Sequence, residues 1–189
     1  MKVVVAITAA SGAIYARQLL NALVESREVE RIAVIYSANA RAVVAHEGET
    51  MPCSDKIEEY DNDNLFASPA SGSARWDAMV VVPSSVGTIG RVASGVSQTL
   101  IERAADVMLK ERRRLIFVVR ETPYSLIHLR NMTALTEAGA VILPATPSFY
   151  SLPKDIEAEC QTVTERITAM LGIEGKRYEW GREEIEVRN

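Results

Sequence analysis

The chain has 189 residues, 48% of them apolar and 24% charged, with a formal net charge of −4. That length and balance suit one soluble globular domain with a sizeable core, and the acidic charge argues against a general nucleic-acid partner. The two cysteines, Cys53 and Cys160, form no C-x-x-C pair and read as packing thiols of a reduced cytoplasmic protein; no apolar run approaches the roughly 20 residues that span a bilayer.

Residues 3–7, VVVAI, are apolar on both faces and predict a buried strand of a parallel sheet; the single lysine before them is no signal-peptide pattern. The turn TAASGAIY follows at 8–15. It lacks the G-x-G-x-x-G dinucleotide fingerprint, since Gly12 is its only glycine, so the ligand of this turn is an open question at this point. Residues 13–26 predict a helix with Ala16, Leu19, Leu20 and Leu23 on one side. A second strand is expected at 32–36, ending at Ser37, and a short helix at 39–47, ending near Glu47. Residues 50–76 are polar and turn-rich and predict a long surface loop with room for one small element. Strands at 78–82, 115–119 and 140–143 and helices at 98–112, 124–138 and 153–171 complete the pattern, with a charged tail from about 174. Pro123 and Pro153 sit near two of the helix starts and Gly139 ends one. Strands alternating with helices predict an α/β, three-layer α/β/α sandwich with a mostly parallel sheet, in a single domain over 1–189.

Open α/β sheets bind ligands beyond the carboxyl ends of their strands. Here the strand ends deliver Thr8 and Ser11, then Ser37, then Ser84, Ser85 and Thr88, then Arg120 and Glu121, and finally ATPSFY with Tyr150. Each hydroxyl alone could be a helix N-cap, but five strand ends bearing such groups favour a site. The helix around IERAADVMLKERRR is apolar over most of its circumference, as for a helix buried in a core or between subunits. Arg103, Asp106 and Lys110 form a narrow stripe on it. An Asp106–Lys110 pair on a solvent face is the bland expectation; the sharper one has Arg103 and Lys110 facing anions, for which the planar fork of arginine suits phosphate. In RETP at 120–123 successive side chains point to opposite faces, so Arg120 and Glu121 need not pair, and the carboxylate could move a proton.

Other chemistries find little support. His46 and His128 do not suggest a zinc site, DNDN at 61–64 lacks the remaining ligands of an EF-hand and reads as a turn, and Ser11 has no evident histidine base. Neither a G-x-S-x-G elbow nor a G-x-x-x-x-G-K-[ST] loop occurs.

AASGAIY at 9–15, SGS at 71–73, PSSVGT at 83–88, the block LIERAADVMLKERRRLIFVVRETPYSLIHLRNM at 100–132 and GAVILPATPSFYSLP at 139–153 together resemble the UbiX-type flavin prenyltransferases, formerly labelled phenylacrylic-acid or polyprenyl-hydroxybenzoate decarboxylases. The resemblance implies a flavodoxin-like fold assembled as a homo-dodecamer with sites between subunits, the charged tail being placed to extend over a neighbour. It implies that reduced FMN is joined to dimethylallyl monophosphate through bonds at flavin N5 and C6, without a metal. The prenylated FMN would then serve a UbiD-type decarboxylase. By motif, Ala9, Ala10 and Ser11, Ser37, the run Ser85, Val86, Gly87 and Thr88, Arg103 and Trp180 would bind the flavin. Lys110, Arg120, Tyr150 and Arg166 would hold the prenyl phosphate. Glu121 would handle the proton, with Glu47, Ser11 and Lys110 as further catalytic groups. Two positions depart from the pattern: Ala9 stands where relatives usually carry glycine, and Arg114 where many carry proline.

Two other readings compete. A flavin-dependent decarboxylase of the cysteine-decarboxylase type shares this fold class but uses an active-site histidine and a PASANT-like segment, and the chain shows neither. A non-catalytic FMN-binding subunit would be favoured by loss of Glu121, Lys110 or Tyr150, and all three are present.

Overall fold

The apolar runs lie side by side in a six-stranded sheet. Its strands are β1 (Lys2–Ile7), β2 (Arg31–Tyr36), β3 (Ile57–Tyr60), β4 (Ala78–Ser84), β5 (Arg114–Val119) and β6 (Val141–Pro144). All neighbours pair in parallel, in the order β3-β2-β1-β4-β5-β6. The helices are α1 (Ala13–Glu25), α2 (Ala40–His46), α3 (Val86–Ala93), α4 (Leu100–Lys110), α5 (Leu126–Glu137) and α6 (Ile156–Leu171). The computed structural model describes residues 1–175. Without the short edge strand β3 the order is that of a flavodoxin-like sheet, and the direction of winding reverses between β1 and β4.

Alternation along each strand divides the core in two. Val3, Val5 and Ile7 of β1, with Val80 and Val82 of β4, meet Leu19 and Leu23 of α1 and Val163 and Ile167 of α6 on one face. Val4, Ala6, Met79, Val81 and Phe117 meet Ile89 of α3, Ala104 and Met108 of α4 and Leu135 of α5 on the other. This gives the expected three layers, with helices on both faces of a parallel sheet.

The differences from expectation lie in the polar connections. The predicted loop at 50–76 contains β3 and two 3-10 turns, Ser68–Ala70 and Gly72–Ala74, over which Trp76 is buried. Helix α3 was not expected as a separate element, and α4 begins at Leu100 rather than 98. Helix α5 starts after Ser125, whose hydroxyl accepts from His128 N, rather than at Pro123. Helix α6 starts after Asp155, whose carboxylate accepts from Ala158 N, rather than at Pro153. The stripe on α4 also pairs differently: Asp106 takes Arg103 at 2.7 Å, one turn back, and Lys110 goes to the adjacent Glu111.

Candidate active site at the carboxyl edge of the sheet

The chain between β1 and β4 diverges where the winding reverses, and a cleft opens there. Thr8 fixes its floor. Its hydroxyl donates to Pro83 O at 2.7 Å and accepts from Ser85 N at 2.9 Å, tying the end of β1 to the end of β4. Thr8 and Ser84 are both fully buried, so these two strand-end hydroxyls serve the scaffold and offer nothing to a ligand.

Ala9, Ser37, Ser85 and Thr88, which come from the ends of β1, β2 and β4, line one cavity of about 370 Å³. Four of the residues assigned to flavin binding are thus brought together. Val86 and Gly87 lie between them, in the first turn of α3. Ser85 is also the N-cap of that helix, accepting from Thr88 N at 3.3 Å, so capping and lining the cleft coexist in one side chain. The far wall was not legible from sequence: it is made by Asn62 of the DNDN turn, Arg91 of α3, and Gln98, Thr99 and Glu102 at the start of α4. Helical spacing after PSSVGT, which puts Arg91 three residues beyond Thr88, was the signal that could have found part of it.

A second locus lies at the start of α1. Gly12 has φ +107°, a left-handed conformation, and a Cβ there would stand 2.9 Å from the Tyr15 ring. Glu47, just past the end of α2, receives Gly12 N at 3.0 Å and Ala13 N at 2.7 Å. Burial opposes its charge, but donors from Ser11, Ala13 and Gly12, with the positive charge of Arg120, outweigh it and hold the carboxyl below the ordinary range. The turn whose ligand the sequence leaves open is therefore filled, at its N–H groups, by a carboxylate of the same chain. Burial and the neighbouring Cys160 push the Tyr15 phenol up to about 12, with Arg120 pulling the other way. Arg120 thus acts on both partners of the turn, while Glu121 folds back to accept from Thr122 N at 2.9 Å.

The remaining assigned residues stand elsewhere in the chain. Arg103 donates to Ala70 O at 3.1 Å as well as to Asp106. Lys110 ends α4, eight residues beyond Glu102 of the cleft wall, which is about 12 Å of helix. Arg166 lies on the exposed side of α6, and Tyr150 in an exposed segment after β6. Ala10 and Ser11 sit in the turn before Gly12, and Trp180 lies outside the described residues. Among the described residues no group of three or more His, Cys, Asp or Glu is placed to hold a metal ion, and no helix is long and apolar enough to cross a membrane.

Comparison with known proteins gives a consistent picture. Residues 1–172 match the family described as Flavoprotein. The chain is 40% identical to the flavin prenyltransferase UbiX of Methanocaldococcus jannaschii, covering 96% of this chain and 99% of that protein. It is 41% identical to the protein of the same name from Pseudomonas aeruginosa, covering 97% and 96%. Among solved structures, a UbiX protein in complex with FMN and dimethylallyl pyrophosphate superposes with a TM-score of 0.85 at 39% identity, covering 94% of this chain and 97% of the other. A dodecameric FMN-dependent UbiX-like decarboxylase from Escherichia coli O157:H7 superposes with a TM-score of 0.87 at 34% identity, covering 95% and 100%.

Proposed function

Because the chain belongs to the UbiX-type flavin prenyltransferases, we propose that it joins dimethylallyl monophosphate to reduced FMN, without a metal, and releases phosphate. The observation that carries this reading is the cleft at the winding reversal, where Ala9, Ser37, Ser85 and Thr88 converge. Its volume, about 370 Å³, falls within the roughly 300–1,000 Å³ usual for cofactor pockets. Its lining of small side chains, hydroxyls and helix-start N–H groups fits a flat ring system with a phosphate tail.

Bound reduced flavin would supply the nucleophilic N5 and ring carbon C6 to which the five-carbon unit becomes attached. The chain's own residues have the following tasks. Arg120 offers its guanidinium to the departing phosphate beside the α1 turn, stabilising charge that grows as the C–O bond breaks. Lys110, Tyr150 and Arg166 add to this from positions that a neighbouring subunit can present. Glu121, at the same strand end as Arg120, takes a proton from the flavin ring. Glu47 fixes the α1 turn through Gly12 and Ala13. Prenylated FMN would pass to a UbiD-type decarboxylase, in a reduced cytoplasmic setting.

The test is anaerobic incubation of the purified protein with reduced FMN and dimethylallyl monophosphate, followed by mass spectrometry of the extracted flavin. A flavin heavier by C5H8 is expected. Unmodified flavin from protein shown to bind both ligands would overturn the reading.

A further inference from the structure

The wall of the cleft contains a cation for which neither the family resemblance nor the relatives' names provide a role. Arg91 lies in the last turn of α3, three residues beyond Thr88 and six beyond Ser85, on one stripe of the helix. Its side chain is half exposed to the cleft, yet one end is fixed. The Nε donates to Glu102, a carboxylate 2% exposed whose other oxygen accepts from Gln98 N at 2.9 Å and Thr99 N at 3.0 Å. Nη2 reaches Thr88 Oγ1 at 3.4 Å. Nη1 is folded back toward the start of α3: a Cβ on Gly87 would stand 3.5 Å from it. Among the described residues Nη1 has no hydrogen-bond partner.

This arrangement differs from an ordinary surface ion pair. Glu102 is buried and already receives two backbone N–H groups as part of the α4 capping box. Its pairing therefore orients the guanidinium without consuming its outer edge. That edge lies beside the Ser85 and Thr88 hydroxyls and beside Val86 and Gly87, whose N–H groups, as the first of a helix, have no partner within it. Of the helices that begin around this cleft, α1 is closed by Glu47 and α4 by Asn62, Thr99 and Glu102. The start of α3 is the one left with a part-exposed hydroxyl, that of Ser85, with N–H groups and with a cation facing the cavity, while the buried Thr88 hydroxyl, 3.1 Å from Ser85 Oγ, steadies both. Arg103, which the resemblance assigns to flavin binding, has its guanidinium committed to Ala70 O and Asp106 within the chain.

We propose that Arg91, oriented by Glu102 over the open start of α3, grips the terminal phosphate of FMN and makes this chain discriminate FMN from riboflavin. A phosphomonoester is the chemistry that suits a planar cation, the Ser85 hydroxyl and helix-start N–H groups together. The inference rests on the reading that the cleft holds the flavin, and it specifies which end of the flavin lies at α3.

The experiment measures dissociation constants of oxidised FMN and of riboflavin by quenching of flavin fluorescence, for the wild type, Arg91→Ala and Arg91→Lys, with thermal unfolding as the control on folding. Loss of a charge-assisted phosphate contact should weaken FMN by about ten- to a hundredfold. Riboflavin should bind Arg91→Ala as it binds the wild type, and lysine should restore part of the difference. Raised salt should weaken FMN binding by the wild type more than by Arg91→Ala. Wild-type affinity for FMN in Arg91→Ala, or equal loss of FMN and riboflavin, would overturn the assignment. Prenyl transfer is scored separately on the same proteins. A wild type that discriminates FMN from riboflavin through Arg91 but never forms the C5H8 adduct would refute the proposed reaction and leave the phosphate site standing.

Discussion

Glu47 shows how a single side chain can look like one thing in sequence and act as another. The turn TAASGAIY has the position of an anion-binding loop, and its N–H groups are indeed aimed at an anion, but the anion is the Glu47 carboxylate. No local pattern links residue 47 to residue 12; the link exists only because α2 carries the chain back to the start of α1. The folded-state pKa of Glu47 is depressed, so its contribution to stability is fully present above the ordinary value of 4.5 and is lost as pH falls through the lower folded value. Glu47→Gln keeps an acceptor for Gly12 N but discards the charge. In urea unfolding at neutral pH the variant should be less stable than the wild type by about 1 kcal/mol or less, since the group is only partly buried. The gap should close as pH is lowered into the acid range, because protonation makes the wild type resemble the variant. A gap that stays constant or widens on acidification would show that the charge of Glu47 is not what the turn uses.

At the scale of elements, what was legible followed from apolar content. The strands β1, β2, β4 and β5 are largely runs of Val, Ile, Ala and Phe whose two faces are both buried, and such runs announce themselves; β6, at the edge and only half-buried, still shows as the apolar run Val141–Leu143. The strand β3 did not, because IEEY is short, half polar and at the edge, paired on one side only to β2. Helix α3 was missed for a different reason. Its VGTIGRVA has two glycines and three β-branched residues in the first four non-glycine positions, poor intrinsic helix formers, and it is held by the Ser85 cap and by Ile89 and Val92 in the core. The DNDN turn was read as a turn and is one, yet its role is tertiary. Asn62 accepts Leu100 N on its backbone oxygen at 2.7 Å and Ile101 N on Oδ1 at 3.1 Å, supplying the first N–H groups of α4 with partners from 38 and 39 residues away. Asn62→Ala removes the side-chain half of this and should cost about 1 kcal/mol, read as a lower urea midpoint with an unchanged slope. An unaltered midpoint would mean that water replaces Oδ1 without cost.

At the scale of the molecule, the assigned groups do not all meet within one chain. Arg120 and Glu121 follow β5 at the carboxyl edge of the sheet, whereas Lys110 lies at the far end of α4, where the chain turns into the start of β5. The sequence places all three in one block, 100–132, and cannot show that the helix separates them by its own length. The surface offers a reason to look beyond the chain. Leu126, Ile127 and Leu129 of α5, and Phe149, Leu152 and Ile156 before and at the start of α6, are all exposed, and apolar surface of this kind is what subunit contacts cover. If subunits assemble through such surfaces and Lys110 serves a neighbour's site, the two defects of Lys110→Ala and Arg120→Ala fall in different sites once the variants are mixed. Each variant alone should lose most prenyl transfer, since every site lacks one cation. Co-expressed, some sites take Arg120 from the lysine variant and Lys110 from the arginine variant, and these are intact in both. Activity of the mixed assemblies should therefore exceed that of either variant at equal protein. If Lys110 acted only within its own chain, every site in the mixture would still carry one defect and no recovery would occur; if Lys110 took no part, its variant would be active alone.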